Sequence, residues 1–146
     1  MRITKKTSFT GAVVLMAAAA TLVLAVPGTA QAAAWSTSCD KWAADNDPGS
    51  NDMVASLWRT SDSTKAARAS FKGKGETLSA RNWAGASTTV SVEWATADGS
   101  KIERIWDRAL GSGESVDMDF DIPEGRTVWV SIGTPGGSTA VCKGKA

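Results

Sequence analysis

The chain has 146 residues and carries 16 Lys+Arg against 15 Asp+Glu. It has no His and no Tyr, yet seven Trp. The missing histidine excludes His-based catalytic triads and His-ligated metal sites. The balanced charge lacks the basic excess of an electrostatic nucleic-acid binder.

Residues 1–34 read as a secretory signal peptide. Arg2, Lys5 and Lys6 form a positive start, and Gly11 to Val26 is an uncharged apolar stretch. Pro27 and Gly28 break it, and Ala30-Gln31-Ala32 offers the small residues that a signal peptidase reads. Cleavage then follows Ala32, or Ala34 if the Ala32-Ala33-Ala34 run is used. The apolar stretch of 16 residues is short of the roughly 20 that a spanning helix needs. Residues 35–146 then form one secreted domain with 13 basic against 15 acidic side chains, net −2. No second apolar run follows, so no membrane association is expected after cleavage. Cys39 and Cys142 are the only cysteines. In an exported chain, an even count this low without Cys-x-x-Cys spacing reads as one structural disulfide.

Ala33 to Ser63 is the least regular part. Asp45 to Asp52 is a polar, turn-rich cluster. Met53 to Trp58 fits either a helical turn or a strand, since both periods are present. Alternation is clearer from Lys65 onward. Ala67 to Phe71 alternates, and Glu76 to Trp83 follows with Leu78 and Ala80 on one face. Val90, Val92 and Trp94 then share a face. Asp98-Gly99 is a hairpin signal. In Lys101 to Leu110 the apolar positions Ile102, Ile105 and Trp106 shift phase, which predicts a bulge or twist. Val116, Met118, Phe120 and Ile122 alternate toward a core, Pro123-Glu124-Gly125 turns, and Val128, Val130 and Ile132 point inward from the next strand. Thr134 to Gly137 turns again before a short strand, Ser138 to Cys142. The expected fold is all-β: an antiparallel β-sandwich of about seven strands.

From Ala67 to Ile132 the features fall in a familiar order. Phe71 precedes Gly75-Glu76 and its strand. A Val-rich strand and Trp106 follow, then Phe120-Asp121-Ile122-Pro123-Glu124-Gly125 before another strand. This order resembles a set of small secreted actinobacterial β-sandwich proteins. The resemblance implies a fold and an extracellular location; it brings no activity and no functional residue. Many members carry extra cysteines in the strands that correspond to Glu76–Trp83 and Arg126–Ile132. This chain has none there, so its disulfide is not carried over from them.

The tryptophans are the first functional candidates. Trp94 reads as core, Trp58 and Trp106 fit either side, and Trp35 and Trp42 flank Cys39. Trp83 and Trp129 fall on the outward parity of their strands. An exposed indole stacks on a sugar ring or anchors a protein interface; alternatively the N-terminal segment folds over these rings and buries them. Asp117, Asp119 and Asp121 recur at period two, with carboxylates roughly 7 Å apart on one face. They suit a Ca²⁺ ion only with help from a loop. Otherwise they pair with Lys101, Arg104 or Arg108, or keep a sheet edge charged. Glu93, Glu103 or an Asp of this stripe would be the acids of a His-free hydrolase, but nothing sets two of them across a cleft.

The expectation is therefore a secreted, non-enzymatic binding domain using an exposed patch that includes Trp83 and Trp129. No catalytic residue, metal or cofactor is expected. The partner is an extracellular polysaccharide or protein. The chain would then be a carbohydrate-binding module or an inhibitor of a secreted hydrolase, with Ala44–Asp52 or Thr134–Ser138 as the loop to inspect. A self-associating matrix component is a third class.

Overall fold

The computed structural model describes residues 35–134 and 137–146. The expected signal peptide lies outside the described residues, as do Pro135 and Gly136 of the Thr134–Ser138 loop. Among the described residues there are nine strands and no helix: β1 Trp35–Ala44, β2 Asp47–Arg59, β3 Lys65–Lys72, β4 Thr77–Asn82, β5 Thr88–Ala95, β6 Ile102–Leu110, β7 Ser115–Asp119, β8 Thr127–Gly133 and β9 Thr139–Lys145. They form two antiparallel sheets, a larger one of order β1-β2-β3-β4-β7 and a smaller one of order β6-β5-β8-β9. The chain changes sheet after β4, after β6 and after β7.

The count of nine replaces the expected seven, and the two additions are β1 and β2. The segment expected to be least regular is a long hairpin. Its turn lies at Asp45-Asn46, where Asn46 takes a left-handed φ of 60°, a conformation that Asn tolerates better than most residues. β1 is an edge strand exposed along most of its length, and β2 is buried on both faces from Met53 to Leu57. Neither condition leaves the alternation that marks a half-buried strand.

One cluster of buried side chains draws on both sheets. Met53, Leu57, Phe71 and Leu78 come from the larger, and Val90, Val92, Leu110, Val128, Val130 and Ile132 from the smaller. Val116 and Ile122 are buried as their parity requires, while Met118 and Phe120 pack partly buried against the cluster. The register of β5 against β6 slips between Val92 and Glu93 and leaves Ile105 without a partner, which is the bulge that the phase shift predicts. At Gly144 in β9 an added Cβ would lie 2.5 Å from Met53 Sδ, so only glycine lets β9 approach β2 this closely. Gly125 closes the Pro-Glu-Gly turn with a φ of 76°, and its N–H donates to Ala146 O at 2.7 Å.

Cys39 of β1 is bonded to Cys142 of β9, with Cα atoms 5.3 Å apart and a sequence separation of 103. The bond ties an edge of one sheet to an edge of the other. A disulfide of this kind is consistent with an oxidising, extracellular setting.

Candidate functional site

The outward face of the larger sheet is built by residues that alternate with its core. In β3, Ala67, Ala69 and Phe71 point inward, which turns Arg68 and Ser70 outward. In β4, Leu78, Ala80 and Asn82 are buried, which turns Ser79 and Arg81 outward. Register aligns these into rows: Arg68, Arg81 and Ser115 across β3, β4 and β7, and beside them Ser70, Ser79 and Asp117. The serines are short, so the face dips between the longer side chains. The resulting groove has a volume of about 340 Å³ and is flanked by Arg68, Arg81, Trp83 and Asp117.

Trp83 follows the end of β4 and is fixed by its N–H donating to Ala66 O at 2.7 Å. Trp83 is 43 % exposed, and the Arg81 guanidinium stands 5.5 Å from the ring centroid. Asp117 Oδ1 accepts the Ser79 hydroxyl at 2.6 Å. Arg68 is half-buried, and its Nε is shielded from solvent with no hydrogen-bond partner among the described residues. Among the described residues the ion pairs are Arg59–Asp62 and Arg104–Glu93, and neither involves Arg68 or Arg81.

Trp129 is elsewhere. It lies on the outward face of the smaller sheet, between Glu93 and Lys143 in the register. It is half-buried, and Lys143 Nζ sits 5.2 Å over the ring. Trp83 and Trp129 therefore belong to different sheets and do not form one patch. Trp94 and Trp106 pack partly buried against the core, and Trp58 is half-buried with Lys65 Nζ 4.7 Å over its ring and its Nε1–H donating to Ser38. Trp42, on β1, is the most exposed described tryptophan at 48 %. Sequence reasoning did not single out Arg68 and Arg81. Their parity was legible, but their alignment depends on the pairing of β3 with β4.

The acidic stripe divides. Asp117 and Asp119 lie on β7, an edge strand beside β4, and Asp121 lies past its end. Pairing with Lys101, Arg104 or Arg108 does not occur across this sheet, because β6 belongs to the other one. Arg104 instead grips Glu93 through two nitrogens at 2.7 and 3.0 Å. Glu103 accepts the Trp94 Nε1–H. No group of three or more metal-ligating side chains capable of holding an ion occurs among the described residues. The Ala44–Asp52 segment is the β1–β2 turn and the start of β2, so it is not a projecting loop.

Glu76 has a carboxyl pushed above the ordinary range, first by burial and then by the charges of Glu124 and Asp121, with the Ile122 N–H pulling the other way. A carboxyl with a raised folded pKa binds more protons folded than unfolded between the two values, so stability falls as pH rises through that window. Glu76→Gln is expected to raise Tm at pH 7 by roughly 2 °C and to leave it unchanged well below the unfolded value of 4.5. Thermal melts of both proteins between pH 3 and 7 check this. A variant less stable than the parent at pH 7 would contradict it.

No family model, curated protein or solved structure matches the chain.

Proposed function

We propose that the chain is exported through the signal at residues 1–34, and that residues 35–146 form a secreted, non-enzymatic β-sandwich that binds polysaccharide. The likeness to small secreted actinobacterial β-sandwich proteins is part of the same proposal. The observation that carries it is the groove beside Trp83: an exposed, rigid indole at the edge of a largely apolar hollow that also has Ser70, Ser79 and Ser115 in its lining. A planar apolar face next to several hydrogen-bonding groups suits a sugar ring, whose faces are apolar and whose edge is hydroxylated. The reading as non-enzymatic draws support from Glu93 and Glu103, which are engaged by Arg104 and Trp94.

Protein expressed from the full chain and collected after export is the material for the test, with its N-terminus sequenced. It is expected to begin at residue 33 or 35 and to co-sediment with insoluble glycans. Trp83→Ala is expected to weaken retention about tenfold. Trp129→Ala leaves retention unchanged, since Trp129 is half-buried and lies on the other sheet, away from the groove. Acrylamide should quench Trp42 and Trp83 most strongly. Release by Trp129→Ala and not by Trp83→Ala would move the site to the smaller sheet. No retention on any glycan, with fluorescence unmoved, would refute the reading.

A further inference from the structure

We infer that the groove beside Trp83 takes a sugar unit bearing an oxyanion, so that the ligand is an acidic polysaccharide bound through Arg68 and Arg81. The inference rests on the reading of this face as a glycan-binding surface. Arg68 and Arg81 are direct register partners on β3 and β4 and point to the same side. Like charges directly opposite one another destabilise a sheet. The usual relief is a carboxylate set between them, and among the described residues none is within ion-pair distance of either guanidinium. Asp117 shares the groove but is aligned with Ser70 and Ser79 and takes the Ser79 hydroxyl.

An oxyanion seated between the two guanidiniums answers this condition. It neutralises the like-charged pair. The planar fork of arginine matches carboxylate or sulfate oxygens two at a time. The rest of the groove then faces the sugar: the Trp83 ring, the Ser70 and Ser79 hydroxyls, and the Asp117 carboxylate as an acceptor for ligand hydroxyls. A volume of about 340 Å³ is at the lower end for small-ligand sites, a size for one or two sugar units of a longer chain. An acidic protein segment would also offer carboxylates, but it would make little use of the Ser70 and Ser115 hydroxyls. General polyanion attraction does not account for binding here, because residues 35–146 carry net −2.

The test is affinity electrophoresis of the exported protein through gels containing polygalacturonate, dextran sulfate, neutral dextran or poly-glutamate. Retardation by an acidic glycan is expected where neutral dextran gives little. Polygalacturonate against dextran sulfate then distinguishes carboxylate from sulfate. Arg81→Gln and Arg68→Gln should each weaken the retardation roughly ten- to a hundredfold, and Arg81→Lys should recover only part of it. Arg81 is exposed, so Arg81→Gln should keep its Tm within about 3 °C and isolate the binding effect from folding. Equal retardation by neutral dextran, with the arginine variants unaffected, would overturn the inference and leave the glycan reading standing. Poly-glutamate acting as strongly as the glycans, with Trp83→Ala silent, would overturn it in favour of an acidic protein partner. Retardation by none of the four, while insoluble neutral glycans still retain the protein, would overturn it alone; loss of both would remove the glycan reading as well.

Discussion

Replacing both cysteines, Cys39→Ser with Cys142→Ala, is expected to lower the unfolding free energy by about 2–5 kcal/mol. The bond closes a span of 103 residues, long enough that freeing it restores much conformational freedom to the unfolded chain. The native side makes the same point. β1 is exposed along most of its length and contributes little apolar burial of its own. Its hold on the smaller sheet therefore depends strongly on the covalent tie to β9. Alanine suits Cys142, which is fully buried in the core, while serine suits the exposed Cys39. Urea unfolding of parent and double variant, with m compared as well as the midpoint, measures the loss. A difference under about 1 kcal/mol would mean that strand pairing alone holds β1, against the usual disulfide contribution.

The second large effect is expected at Asn82. This side chain is fully buried where β4 ends, and all of its main bonding capacity is used. Nδ2 donates to Ala86 O at 2.8 Å, Leu110 O at 3.0 Å and Gly111 O at 3.1 Å, and Oδ1 accepts the Ala84 N–H at 2.8 Å. One amide thus joins the end of β4 in the larger sheet to the end of β6 in the smaller. Asn82→Leu keeps the branched shape and the number of side-chain heavy atoms but strands the buried Ala84 N–H and Leu110 O, and about 2–4 kcal/mol of stability should be lost. Asn82→Asp should lose at least as much at pH 7, because a carboxylate would face three carbonyl oxygens. Its folded pKa would be raised, so acidification through that value should restore part of the stability. The leucine variant should show no such recovery. Urea melts at pH 7 and pH 4 separate the two, and an Asn82→Asp protein as stable as the parent at pH 7 would refute the network's role.

Much of the fold was legible because a strand with one buried face reports itself locally. Val90, Val92 and Trp94, or Val128, Val130 and Ile132, need no knowledge of their partners to declare an inward side. The Asp98-Gly99 and Pro123-Glu124-Gly125 turns are equally local. In the first, Gly99 has a φ of 69° and the Asp98 carboxylate takes the Thr96 and Ser100 hydroxyls. The β1–β2 hairpin was not legible, because an exposed edge strand and a doubly buried neighbour both lose the period-two signal.

The amino-acid sequence by itself determined the all-β class, the inward and outward parity of β3, β4, β5, β7 and β8, the turns between them and the reading of two lone cysteines as one disulfide. Each of these depends on neighbours one or two residues away, or on a count of two. Only the tertiary structure decided which strands share a sheet and in what register. It set Arg68 beside Arg81 across β3 and β4, and it sent Trp83 and Trp129 to different sheets. It also enclosed Asn82 between two chain turns. These relations join residues far apart in sequence, and period-two alternation is the same whichever strand lies alongside.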